Sequence, residues 1–184
     1  MGPFSSSTPR AASSAHAASA SSTQTVSWNR EPDCRSATTP GSMVWDRDNL
    51  RGHMTIGDIV PAVREAVGEA RAAGAQLIVV AIHSGLSEPA TFDTVTTGLP
   101  SDNVAARVAR EVAGIDVIAY GHSHKEMPDT TINGVLLMQA KNWAQSVAVA
   151  NLRLVRDASG WRVASKSSRL VRTAGHAESP AVLE

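Results

Sequence analysis

The chain has 184 residues, enough for one core of ordinary size, and its 42% hydrophobic content is that of a globular protein. Its 18% charged content is low against the usual quarter or so, and 17 basic residues balance 17 acidic ones. That balance, without a basic stripe, gives no electrostatic case for a nucleic-acid polymer or an acidic membrane as partner. No apolar run nears the roughly 18 residues that span a bilayer, and a single cysteine, Cys34, excludes a disulfide framework or a thiolate metal cluster.

Residues 1–37 are rich in Ser, Ala and Thr and poor in large aliphatic side chains, so they bury too little surface to offset ordering entropy. They are expected to be disordered, with 38–184 as the folded unit. An organelle transit peptide is the functional alternative, but only Arg10 supplies positive charge before Arg30, and no apolar stretch of a secretory signal is present.

From Thr55 to Ala73 the residues Ile56, Ile59, Val60, Val63, Ala66, Val67 and Ala70 recur at helical spacing, opposite Arg64, Glu65, Glu69 and Arg71. The pattern predicts an amphipathic helix capped by Thr55 or Asp58, with Pro61 best tolerated if Asp58 is the cap, and stopped at Gly74. Gln76 to Ile82 reads as a strand buried on both faces, ending at His83-Ser84-Gly85. After a polar loop from Ser87 to Pro100, Ser101 or Asp102 is expected to open a second helix through Val104, Val108, Ala109 and Val112, stopped by Gly114.

A second buried strand, Ile115 to Tyr120, then runs into Gly121-His122-Ser123-His124. Both histidine loops therefore fall at the C-terminal ends of neighbouring parallel strands, where open α/β sheets carry their sites. Asn133-Gly134 and the segment Asp157 to Gly160 mark two hairpins, so the last third is antiparallel β. The order of elements predicts a layered α/β sandwich with a mixed sheet.

A His-x-His pair leaving a strand can aim two imidazoles into one pocket, with Gly121 expected to let the backbone turn sharply. His83 adds a third imidazole at the same sheet edge, and His is a common metal ligand in its neutral form. His16, His53 and His176 lack this context and read as solvated. Trp45, Trp143 and Trp161 read as core or rim packing, with Trp143, beside Asn142, best placed to line the site.

The residues from about Thr38 onward resemble part of the metallophosphatase domain of the 5′-nucleotidase and 2′,3′-cyclic-nucleotide 2′-phosphodiesterase family, among the calcineurin-like metallophosphoesterases. The resemblance is carried by Thr39-Pro40, Trp45 to Gly52, Ala81-Ile82-His83-Ser84-Gly85-Leu86, Gly114-Ile115-Asp116, Gly121-His122-Ser123-His124, Ile132-Asn133-Gly134-Val135 and Asn142-Trp143. It implies that His83 and His122 bind the second of two divalent ions such as Mn or Zn, and His124 the first. It also implies a nucleotide or cyclic-nucleotide substrate, for which Asn142 and Trp143 are the candidate contacts while the binding residues stay open. His124, where the nucleotidase branch often has Gln, leans towards the cyclic-nucleotide branch. Relatives are mostly periplasmic or on the cell surface.

The sequence also departs from the family. The family's Asp-x-His, bridging Gly-Asp and Asn-His-Glu or Asn-His-Asp motifs supply the rest of its dinuclear centre. No Asp here is followed two residues later by His, and no Asn precedes a His. The only Gly-Asp, Gly57-Asp58, is expected at a helix start with no preceding strand. Ala144 stands where relatives usually place Gly.

These departures predict a truncated phosphoesterase inactive alone, or a non-catalytic piece that binds one metal or a complementary chain, self-associating through an exposed sheet edge. A three-His mononuclear zinc hydrolase would need a general base, for which Glu88 and Asp93 are the nearest acids.

Overall fold

A computed structural model describes residues 40–50 and 52–179, together with the short segments 19–21 and 26–28. The chain runs β1 (Ser19–Ser21), β2 (Val26–Trp28), α1 (Ser42–Trp45), α2 (Arg47–Leu50), β3 (Met54–Ile56), α3 (Ile59–Ala72), β4 (Val79–Ile82), α4 (Thr94–Thr97), α5 (Ala105–Glu111), β5 (Val117–Tyr120), β6 (Met127–Ile132), β7 (Val135–Gln139), β8 (Ser146–Asp157) and β9 (Gly160–Arg172). Within the stretch expected to be disordered, β1 pairs with β4 and β2 with β3. The rest of 1–37, with His16 and Cys34, lies outside the described residues, as do Thr38, Thr39 and Arg51.

The main sheet has the order β1-β4-β5-β7-β6, with β1, β4, β5 and β7 parallel and β6 antiparallel to β7. This is the mixed α/β architecture expected from the sequence. Ile82 is in register with Tyr120, so the loops that follow β4 and β5 leave the sheet side by side.

Helix α3 begins later than Thr55. Asp58 is its cap, accepting from the Val60 amide at 3.1 Å, and Pro61 falls in the first turn where its missing N–H costs nothing. Thr55 instead belongs to β3, so a strand does precede Gly57-Asp58. That strand does not free Asp58 for a metal, because its carboxylate is shared between the helix cap and Arg107, 2.6 Å away on α5. At the other end of α3, Arg71 donates to the carbonyls of Ala75 and Gly114. Asp116 accepts from the Ile78 amide at 2.9 Å, which ties the entries of β4 and β5 together.

One face of the sheet packs on α3 and α5 through Ile59, Val63, Val80, Ile82, Val108 and Ile118. The other face is only partly covered. Ala81 on β4 is exposed, which corrects the expectation of a strand buried on both faces. The long β8–β9 hairpin lies against β6 and β7, where Lys166 donates to the Asp116 carbonyl at 2.8 Å and Ser168 bonds Asp129 and the Pro128 carbonyl, and its turn meets Gln76, whose Oε1 accepts from the Trp161 amide at 3.0 Å. Both expected hairpins are present, and Asn133 and Gly134 each have positive φ, as a two-residue turn of this kind requires. Among the described residues no helix is long and apolar enough to cross a membrane.

Candidate metal centre

The site is built from the two loops that leave β4 and β5 and from the residues before α5. Ser84 is fully buried; its hydroxyl donates to the Asp102 carbonyl and accepts from the Val104 amide, both at 2.8 Å. The Gly85 and Leu86 carbonyls take the Ala105 and Ala106 amides, at 3.0 and 2.8 Å. The loop after β4 thus satisfies the free amides at the start of α5, a task usually done by a capping side chain. Asn103 locks the same junction, its Oδ1 accepting from the Gly85 amide and its Nδ2 donating to the Pro89 carbonyl. Gly85 must be glycine here, since a Cβ would come 2.0 Å from Asn103 Oδ1.

This arrangement corrects the expectation that Ser101 or Asp102 caps the second helix, for α5 starts at Ala105 without a side-chain cap. Asp102 is drawn away by stronger partners. Its carboxylate accepts from the Thr91 amide at 3.1 Å, from the Thr91 hydroxyl, and from His122 Nε2 at 2.9 Å. The Asp102 side chain is 0% exposed. Burial pushes its pKa up, but the Thr91 hydroxyl and amide, the backbone amide of Asp102 and the charge of His122 together leave it below the ordinary Asp value.

His122 is the hub. Its Nδ1 lies 3.1 Å from His83 Nε2, and the rings meet edge to face with centroids 5.1 Å apart. Trp45 stacks on its other side at 6.0 Å. The His83 pKa is lowered, first by loss of water around the ring and then by the charges of His122 and His124. That keeps the imidazole neutral, the form that binds metal.

The sharp turn after β5 is not made by Gly121. Left-handed φ values fall on His122 (82°) and His124 (57°), while a Cβ at Gly121 would meet only His83 Nδ1, at 4.0 Å. Non-glycine residues seldom adopt such φ values, and they cluster at functional sites. His124 joins neither hydrogen bond of the pair. Its ring lies 6.4 Å from Trp143, and its carbonyl accepts from Lys141 Nζ.

Trp143 is 85% exposed, and Trp45 and Trp161 are also exposed, so none of the three is a core residue. Asn142 is half-buried, and its carbonyl accepts from the Gln145 amide in the turn. The two acids considered as general bases are otherwise engaged. Asp93 caps α4 through Val95 and Thr96, and Glu88 pairs with Lys125 at 3.2 Å. Their pKa values are lowered by those partners, against the upward pull of burial that is the largest influence on Glu88. His53 and His176 are exposed, as expected of solvated side chains.

Two nitrogens bound to one tetrahedral ion at 2.0–2.1 Å lie about 3.3 Å apart. The 3.1 Å between His83 Nε2 and His122 Nδ1 fits two neighbouring ligands of a single divalent ion. Among the described residues, however, no group of three or more His, Cys, Asp or Glu is placed to hold an ion. The donor set fits half of one ion's shell, and it does not fit a dinuclear centre.

Asp102 is the residue that sequence reasoning missed. The signal was there in Ser101-Asp102-Asn103, three capping-type residues in a row where a helix needs one.

No family model matches the chain. The trifunctional nucleotide phosphoesterase protein YfkN of Bacillus subtilis (strain 168) is 28% identical over 153 residues, covering 76% of this chain and 10% of the relative. The 2′,3′-cyclic-nucleotide 2′-phosphodiesterase/3′-nucleotidase of Salmonella typhimurium is 31% identical over 137 residues, covering 67% of this chain and 20% of the relative. The chain therefore spans between a tenth and a fifth of the length of these curated relatives. Among solved structures, the calcineurin-like phosphoesterase YfkN from Bacillus subtilis superposes with a TM-score of 0.70 at 22% identity, over 87% of this chain and 57% of that one. With paired histidine loops on parallel strands, the chain shares the α/β fold of that calcineurin-like phosphoesterase and is similar in sequence to bacterial nucleotide phosphoesterases and 2′,3′-cyclic-nucleotide 2′-phosphodiesterases.

Proposed function

We propose that His83 and His122, with His124 at their rim, are metal ligands of a phosphoric-ester hydrolase centre acting on nucleotides or 2′,3′-cyclic nucleotides. The observation that carries this reading is the 3.1 Å approach of His83 Nε2 to His122 Nδ1 at the ends of two parallel strands. A divalent ion bound there would polarise a phosphoryl oxygen and activate a water molecule. The chain's own residues orient His122 through the Asp102 carboxylate and hold the His83 loop through Ser84 and Gly85. Trp143, exposed and near His124, is placed to stack on a substrate's base, with Asn142 beside it.

A second reading is favoured by the engaged state of Asp58, Glu88 and Asp93 and by the lack of a three-ligand group among the described residues. In it the chain alone binds one ion weakly, and the carboxylate ligands come from another polypeptide segment, which would also cover the exposed β4 face. The two readings separate in one assay. We expect the chain by itself to hold less than one zinc or manganese ion and to hydrolyse bis-p-nitrophenyl phosphate and a 2′,3′-cyclic nucleotide negligibly. Weak zinc binding should be lost in His83→Ala and His122→Ala. Two tightly held ions per chain, with turnover abolished by the same substitutions, would sink the second reading, and zinc binding unchanged in both variants would sink the first.

A further inference from the structure

We infer that Asp102 is a positioning residue that fixes which nitrogen His122 presents to a metal ion. The inference rests on the proposed reading of His83 and His122 as ligands, and it begins from what a carboxylate can do. An ionised carboxylate only accepts hydrogen bonds. Asp102 Oδ2 lies 2.9 Å from His122 Nε2, so that nitrogen carries a proton and Nδ1 is the ring atom left to bind an ion. Nδ1 is the atom that faces His83 Nε2, the opening between two potential ligands.

The alternative tautomer would aim the Nε2 lone pair at a buried negative oxygen, with no water to separate them. The carboxylate is not free to turn away, because Thr91 holds Oδ1 through its amide and Oδ2 through its hydroxyl. Nor is the segment free to move, since the Asp102 carbonyl is bonded by Ser84 and Asn103 is bonded to Gly85 and Pro89. Ser84 and Gly85 directly follow His83 in the same loop. One set of contacts therefore fixes both the first imidazole and the carboxylate that orients the second. This is the arrangement by which an outer carboxylate sets the tautomer and basicity of a metal-bound histidine.

Substitution of Asp102 by Asn makes a sharp test. The Thr91 amide would retain the Asn oxygen, which places the Asn NH2 opposite His122 Nε2 as a donor and forces the ring proton to Nδ1. The experiment uses the full chain labelled with 15N-histidine, examined by long-range 1H–15N correlation at neutral pH without metal and then titrated with zinc alone by calorimetry. Wild type is expected to show His122 protonated on Nε2. Asp102→Asn is expected to show the proton on Nδ1, with unchanged circular dichroism and zinc affinity lower by about 10- to 100-fold. In a His122→Ala background the same substitution should change zinc affinity by no more than about twofold, because the effect runs through the ring.

Wild-type His122 protonated on Nδ1 would overturn the inference, and that measurement needs no variant to fold. So would equal zinc affinities in wild type and Asp102→Asn, or an undiminished loss in the His122→Ala background. If wild type shows the expected tautomer but binds no zinc at all, the metal-ligand reading fails and the positioning role goes with it.

Discussion

Single residues decide whether the histidine loops hold their shape. Ala144 sits at φ 53°, a left-handed conformation that costs an L-residue about 1–2 kcal/mol. Glycine removes that cost but gains freedom in the unfolded chain. The net expectation for Ala144→Gly is a stabilisation of up to about 1 kcal/mol, read as a rise in the urea midpoint with an unchanged slope. Asp102 acts through charge. Its folded pKa is lowered, so its contribution to stability is fully present above the unfolded value of about 3.9 and is lost as pH falls through the lower folded value. Asp102→Asn should therefore be less stable than wild type at pH 7, and the gap in urea midpoint should narrow when both are measured below about pH 3. A constant gap across that range would show that the carboxylate charge contributes nothing.

At the scale of elements, the sequence displayed those parts whose signal is local. The apolar runs before His83 and His122, the stripe on α3 and the Asn133-Gly134 turn each carry their period or turn chemistry within a few residues, and each is found in the structure. What stayed hidden depends on distant partners. Ser101-Asp102-Asn103 reads locally as a helix cap, yet Asp102 is claimed by Thr91 and His122 and Asn103 by Gly85 and Pro89, so the start of α5 is served by Ser84. Gly121 reads locally as the point of the turn, yet His122 and His124 take the left-handed conformations. The junction of α5 with the β4 loop is therefore the element-level contact most worth testing. Ser84→Ala leaves the Val104 amide and the Asp102 carbonyl unpaired in a buried place, at an expected cost of about 1–3 kcal/mol. Urea unfolding measures the loss, and a cost below about 0.5 kcal/mol would mean that the helix finds another cap.

Over the whole molecule, α3 and α5 are bound to each other by the Arg107–Asp58 pair and to the sheet by a shared apolar core, while β8–β9 is held mostly by its own long ladder. The sequence placed the three histidines at one sheet edge correctly because strand order and parallel register follow from the alternation of helix and strand. It could not show that only two of the imidazoles meet, because that depends on backbone angles in a four-residue loop. The register of Ile82 with Tyr120 has a further, kinetic meaning. Parallel strands cannot be joined by a tight turn, and the contact between the two imidazoles spans 39 positions, so it forms only after a long crossover has closed against its entropy. During synthesis His83 emerges well before the carboxylate and the ring that complete its surroundings. On the proposed reading of this pair as metal ligands, ion capture would be tied to completion of the crossover, and a chain caught partway through folding would have no formed pair with which to take up metal.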